Sequence, residues 1–256
     1  MKIELNELEI VNPNLPSNFD GCRIAQISDL HNMSYGKENE RLLALLKNAH
    51  ADMIVITGDF IDSRNTKPEI SLKAAQELVK LAPTFYIPGN HESRVVVEYE
   101  YLKQELEQLG VTVLENKSVE IKQGTDFITI TGLQDPGFFK IYKKEEEKHY
   151  FSERLKEKRA GYQILLVHRP EHFDVYAGKA DLVFCGHAHG GQFIFPFFGG
   201  LIAPGQGLFP KYYKGVYHKN GTDMVVSRGA GYTVLPLRIN NKPEIVVVTL
   251  RKGRTA

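Results

Sequence analysis

Residues 184–192 read FCGHAHGGQ, two histidines one residue apart, bracketed by glycines and preceded by an apolar run. Four other apolar runs end on comparable residues: 22–28 on Asp29 and His31, 52–57 on Asp59, 84–88 on Asn90 and His91, and 162–167 on His168. In open α/β sheets the carboxyl ends of the strands form the edge that carries the site, so these residues should converge although they lie far apart in the chain. In extended backbone, residues i and i+2 point to the same side roughly 6–7 Å apart. That spacing predicts that Asp29 pairs with His31, and His187 with His189. Two aspartates, one asparagine and four histidines offer O and N donors without thiolate, a set that suits Mn, Fe, Zn, Co or Ni. Seven donors exceed the roughly three protein ligands of a single catalytic zinc. Two cations sharing one carboxylate fit better, spaced about 3.5–4 Å apart so as to clamp both oxygens of a displacement. Two aspartates cancel half of the charge on two divalent ions. The remainder favours hydroxide and an anionic phosphate ester.

The elements that must position these residues alternate. After the run 22–28 come apolar residues at helical spacing over 38–50; after 52–57 the same pattern spans 68–82, and after 84–88 it spans 93–110, where Gly110 is a C-cap candidate. This βαβα order predicts a largely parallel sheet covered by helices. The second half is richer in strands: 117–122 and 126–131 flank a hairpin turn, 162–168 and 181–187 bracket a short helical stretch, 215–219 and 222–227 flank Asn220-Gly221, and 243–250 closes the chain. The charged run 142–161 reads as a solvated helix.

Composition sets the background. The chain has 256 residues, 42% hydrophobic and 25% charged, as in ordinary globular proteins, and it reads as one domain over 1–256. A net charge of +1 predicts, from bulk electrostatics, no nucleic-acid or membrane partner. Two cysteines imply no disulfide framework and fit a reducing compartment. The N-terminus lacks the basic and apolar regions of a signal peptide, and no run approaches the roughly 18 apolar residues that span a bilayer. The expected location is therefore cytoplasmic, with peripheral membrane contact left open.

SDLH (28–31), TGDF (57–60), PGNHE (88–92), LLVHRPE (165–171) and CGHAHGG (185–191) together resemble the calcineurin-like metallophosphoesterases, whose pattern is D-x-H, G-D, G-N-H-[DE], a lone H after a strand, and G-H-x-H. The resemblance implies a four-layer α-β-β-α sandwich of two mixed sheets with a dinuclear metal site at the strand ends. It implies Asp29, His31 and His189 on one metal, Asn90, His168 and His187 on the other, and Asp59 bridging them. The metals would be two divalent transition ions (Mn, Fe or Zn). His91 would sit by the leaving group as the catalytic residue, able as imidazolium to protonate it, while a metal-bridging hydroxide attacks phosphorus in line. Further stretches, GGQFIFPFFGG (190–200), YYKGVY (212–217) and VSRGAG (226–231) among them, look like a bacterial branch that is often membrane-anchored or exported and linked to cell-envelope phosphodiesters. The implied function is a phosphodiesterase, with lipid-linked substrates included. A nuclease, a cyclic-nucleotide phosphodiesterase or a phosphomonoesterase would use the same site, and a non-catalytic scaffold would be free to lose donors that are all present here.

Other residues carry two readings each. Arg228 and Arg238 are candidate phosphate ligands or structural ion pairs. Asp135 is a candidate substrate contact or the start of an Asp-Pro-Gly turn. Glu92 fits helix N-terminal electrostatics or support of the metal site. The aromatic stretch 193–210 is core strand plus loop, or an apolar wall for a lipid-like substrate.

Overall fold

The computed structural model describes residues 2–156, 160–232 and 237–253. In chain order, β1 (Glu4–Asn12) and β2 (Arg23–Ile27) precede α1 (Glu40–Ala49), β3 (Met53–Thr57), α2 (Pro68–Leu78), β4 (Thr84–Ile87), α3 (Val96–Gln108) and β5 (Thr112–Val113). Then come β6 (Lys117–Gln123), β7 (Asp126–Gly132), α4 (Lys144–Arg154), β8 (Tyr162–Leu166), α5 (Phe173–Tyr176) and β9 (Leu182–Cys185). Four two-residue strands follow, β10 (Ile194–Phe195), β11 (Gly199–Gly200), β12 (Ile202–Ala203) and β13 (Gly207–Leu208). The chain ends with β14 (Gly215–Lys219), β15 (Thr222–Val226) and β16 (Glu244–Lys252).

Two six-stranded sheets result, ordered β1-β16-β2-β3-β4-β5 and β14-β15-β9-β8-β7-β6. Both are mixed. In the first, β16 runs antiparallel to β2 while β2 through β5 are parallel. In the second, parallel β7, β8, β9 and β15 are flanked by hairpin partners β6 and β14. Period-two alternation builds the layers. In β2, Ile24 joins the core between the sheets, while Ala25 and Ile27 face a core shared with Leu42, Leu78 and Leu102 of the helices. In β8, Ile164 and Leu166 face the same inter-sheet core, and Leu165 faces outward to Phe151 and Tyr176. Helices therefore cover both outer faces, giving the α-β-β-α sandwich. Strands buried on both faces read as continuous apolar runs.

Several local expectations shift. The N-terminal segment, not assigned to an element from the sequence, forms β1, paired in parallel with the last strand, β16. The helix expected over 38–50 begins only at Glu40, because Glu38 and Asn39 take left-handed φ of 52° and 62°. The segment 68–82 is helical only to Leu78, and 93–110 is a 3-10 turn followed by α3. Within 142–161, α4 covers Lys144–Arg154, and 157–159 lie outside the described residues. The Asn220-Gly221 turn has positive φ at both positions, as a two-residue hairpin requires. Strands expected to reach 168 and 187 stop at Leu166 and Cys185, so His168 and His187 lie in loops beyond them.

The sheets approach closely at their carboxyl ends. Gln26 Nε2, at the interface, donates to Thr57 Oγ1 and to the Cys185 carbonyl of the other sheet, both at 2.9 Å. Gly186 follows Cys185, and a Cβ there would overlap Ser28 Oγ and Asp29 Oδ2 across the joint. Gly186→Ala should therefore cost about 1–3 kcal/mol as an overpacking substitution. Urea unfolding checks this, and wild-type stability would show that the joint yields.

Candidate metal centre

The loops after β2, β3, β4, β8 and β9 bring Asp29, His31, Asp59, Asn90, His168, His187 and His189 together, all buried. Their geometry differs from extended i, i+2 pairing. Asp29, His31, Asp59, His187 and His189 have φ of 51°, 49°, 51°, 65° and 47°, in the left-handed region. Such backbone costs a non-glycine residue roughly 1–2 kcal/mol and turns each side chain inward over its own strand end. Gly58 makes room: a Cβ there would lie 2.6 Å from His168 Nδ1.

Two groups of donors form around one carboxylate. Donor atoms of Asp29, His31, Asp59 and His189 lie within 4.8 Å of one another, and so do those of Asp59, His168 and His187. Asp59 Oδ2 is 3.7 Å from His31 Nε2 and 3.3 Å from His168 Nε2. Asn90 joins the second group, its Oδ1 lying 3.1 Å from His168 Nε2. Hence His187 and His189 fall in different groups.

The donor chemistry fits cations. The His168 Nδ1 proton goes to the Thr57 carbonyl at 2.8 Å, so in the neutral ring Nε2 presents a lone pair. That lone pair faces Asn90 Oδ1, Asp59 Oδ2 and His187 Nδ1, the last at 3.1 Å. In the first group, His31 Nε2 and His189 Nε2 approach to 3.3 Å, and His189 Nε2 lies 3.4 Å from Asp29 Oδ1. Lone pairs thus crowd together with few protons to share, and a divalent ion in each group would satisfy them.

Titration follows the same logic. Burial lowers His31 to about 4 and drives His187 and His189 well below their usual value, leaving neutral rings able to ligate. Burial alone would raise Asp59, but the charge and hydrogen bond of His168 hold it well below the carboxylate range. Burial opposes charge on His168, yet Asp59 and Asp29 outweigh it and raise His168 to about 10.

His91 stands at the rim. Its Nδ1 accepts the Ser63 backbone N–H at 3.1 Å, and Asp62 Oδ1 lies 3.4 Å away. An amide can only donate, so the proton of the neutral ring belongs on Nε2. Burial lowers the His91 pKa. The charges of Asp59 and Asp62 oppose that effect, so the imidazolium role implied by the resemblance stays a proposal.

The remaining candidates make the following contacts. Arg228 binds Glu244 at 2.8 and 2.5 Å and Glu4 at 2.7 Å. Arg238 donates to the carbonyls of Arg228 and Gly231, with Nη2 3.4 Å from His189 Nδ1. Asp135 holds Arg169 at 2.7 and 3.1 Å and caps the Gly137 amide at 2.8 Å. Arg238 thus lies beside a candidate ligand, and its Nε is buried without a hydrogen-bond partner.

Comparison with known proteins places this geometry. The profile of the calcineurin-like phosphoesterases matches residues 22–191. The metallophosphoesterase YkuE of Bacillus subtilis is 32% identical over 261 residues, covering 97% of this chain and 86% of that protein. The phosphodiesterase YaeI of Escherichia coli is 28% identical over 203 residues, covering 78% of this chain and 70% of that one. The fold is also that of the phosphopantetheinyl hydrolase of Mycobacterium tuberculosis, with a TM-score of 0.51 at 14% identity over 84% of this chain and 91% of that one.

Sequence reasoning left the role of Glu92 open between two readings, and its partners decide it. The buried carboxylate accepts four backbone amides: Asp59 at 3.0, Phe60 at 2.7, Ile61 at 3.1 and Gly89 at 2.8 Å. It ties the Asp59 loop to the Asn90 loop. Burial and the Asp59 charge raise Glu92 to about 7, and the amides pull against them. Glu92→Gln keeps one acceptor oxygen and sets an NH₂ against two amides. Leaving buried donors unpaired should cost about 2–4 kcal/mol, read by urea unfolding. A change within experimental error would remove Glu92 from this role.

Proposed function

The chain belongs to the calcineurin-like phosphoesterase family and is a metal-dependent phosphoesterase, and we propose that it hydrolyses phosphodiesters at a centre built by the seven donors around Asp59. Family membership implies divalent metal ions at a dinuclear site, and the clustered donors fit two of them. We assign Asp29, His31 and His189 to one ion, Asn90, His168 and His187 to the other, and Asp59 to both. The observation that carries this assignment is the single Asp59 carboxylate shared by two donor groups. Nitrogen-rich, thiolate-free donors favour Mn, Fe or Zn. Residues 1–256 are taken as one domain, a reading supported by an inter-sheet core drawn from both halves of the chain.

When bound, the ions supply Lewis acidity toward the phosphoryl oxygens and a water acidic enough to be hydroxide near neutral pH, for in-line attack. The protein's own groups do the rest. Glu92 fixes the two loops that present Asp59 and Asn90, and the Thr57 carbonyl sets the His168 tautomer. His91, held by the Ser63 amide, would donate an Nε2–H hydrogen bond to a phosphoryl oxygen and, as imidazolium, would protonate the leaving oxygen and become neutral imidazole. Charge favours a diester over a monoester. Two aspartates, one hydroxide and one monoanionic diester balance two divalent ions, whereas a dianionic monoester needs a further cation. Arg169 and Arg228 are already engaged by carboxylates. Similarity to the YaeI phosphodiesterase supports the same preference, and lipid-linked diesters are included in the proposed class.

Assayed with bis-p-nitrophenyl phosphate and p-nitrophenyl phosphate in the presence of Mn, Zn or Fe, the protein should turn over the diester faster. Chelation should abolish turnover. No turnover with any metal would refute the proposal, and monoester preference would refute its diester part. His91→Ala should retain its metal content by elemental analysis while turnover falls roughly 10²–10⁴-fold, most for poor leaving groups. Loss of metal would instead make His91 a ligand.

A further inference from the structure

The aromatic stretch 193–210 is not core strand. It folds into two small ladders, β10–β11 and β12–β13, that lift apolar side chains into solvent. Phe197 is 104% exposed, Phe198 75%, Leu208 66% and Phe209 61%. Phe195 and Ile202 are exposed beside them. Backbone bonds join the ladders to each other and to the candidate centre. Phe209 N–H donates to the Leu201 carbonyl at 2.8 Å, and Leu201 N–H to the Gly191 carbonyl at 3.0 Å. Gly191 ends the turn that begins at His189. The apolar lip therefore grows out of the loop that carries one of the candidate ligands.

Charge distinguishes what this lip meets. No aspartate or glutamate occurs between Asp181 and Asp223, while Lys211, Lys214 and Lys219 do. Lys219 is paired with Asp174 at 2.7 Å. Lys211 and Lys214 are exposed just beyond the second ladder, Lys211 with its ammonium 4.9 Å from the Tyr212 ring and Lys214 sharing a cleft with Glu4 and Arg228. Protruding aromatics backed by lysines suit the boundary of an anionic bilayer, where rings enter the acyl edge and ammonium groups meet phosphates.

We propose that residues 195–209, with Lys211 and Lys214, dock this protein onto anionic phospholipid surfaces and bring the candidate centre to headgroup depth. The docking rests on the phosphodiesterase reading only for its purpose, which would be access to phosphodiesters held in the membrane. Because Gly191 links lip and centre, seating the lip sets the centre's height above the bilayer.

Flotation of the full chain with phosphatidylcholine vesicles, with and without phosphatidylglycerol, tests this. Binding is expected on the anionic vesicles and should weaken at high salt. The double variant Phe197→Ser/Phe198→Ser should bind about tenfold more weakly or worse, and Lys211→Glu should weaken binding only where phosphatidylglycerol is present. All variants should hydrolyse soluble bis-p-nitrophenyl phosphate like the wild type. Absence of vesicle binding, or a double variant that binds like the wild type, would overturn the proposal. So would a dimer, seen by light scattering, that the double variant dissolves. Vesicle binding without turnover of any phosphodiester would sustain the docking and sink the phosphodiesterase reading alone. Turnover without vesicle binding would do the reverse.

Discussion

The structure depends on a polar joint between two otherwise apolar sheets. Across it, the Asp29 carboxylate of the first sheet accepts the His187 backbone N–H of the second, at 3.1 Å to each oxygen. His168 Nδ1 crosses in the other direction to the Thr57 carbonyl. The loop after β15 adds Ala230 N–H to the Ser28 carbonyl and Gly231 N–H to the Asp29 carbonyl. Each donor group draws on both sheets: Asp29, His31 and Asp59 with His189, and Asp59 and Asn90 with His168 and His187. A one-residue slip of either inner strand would turn its core face outward and separate the donors. The site and the sandwich are thus one constraint, and the inter-sheet core of Ile24, Val55, Ile164 and Phe184 fixes the geometry of both.

This joint is expensive to hold. Five residues sit in left-handed backbone, and buried lone pairs face one another. The cost persists because the surroundings over-determine it, as is usual where strain accompanies chemistry. Glu92 gathers four amides, Ser28 Oγ bonds Asp29 Oδ2 at 2.5 Å, and glycines at 186 and 229 admit the opposing side chains. Cations that satisfy the donors only in the folded arrangement would stabilise it by mass action. Stability and metal binding are therefore linked at this edge far more than in the helical layers.

The sequence was most legible where backbone periodicity met residue type. Apolar runs buried on both faces announced the strands, and the polar residues ending five of them were the ones brought together. Extended i, i+2 geometry paired Asp29 with His31, which share a donor group, and His187 with His189, which do not; the left-handed φ at these residues was hinted at only by the glycines. Pairing of β1 with β16 was hidden because parallel partners at opposite ends of the chain leave no turn signal. Arg228, Arg238 and Asp135 carried the chemistry of phosphate recognition in their types alone. Their partners, Glu244, backbone carbonyls and Arg169, could not be read from spacing. Glu92 was ambiguous for the same reason, because its four amides come from two loops about thirty residues apart in the chain.

The exposed aromatics separate two kinds of apolar residue that composition treats alike. Phe184 and Phe173 are buried in ordered layers, whereas Phe197 and Phe198 cap a ladder only two residue pairs long. An isolated hairpin is marginal in water, and this one is held by its attachment to the His189 turn: Leu201 N–H also bonds the Phe193 carbonyl, and Gly200 lies against Gly191 too closely for any Cβ. The attachment runs through the same backbone that positions His189 between Asp29 and His31. A surface held this way is suited to meeting a partner at a defined distance from the chemistry, which loose hydrophobic residues on a flexible loop would not be.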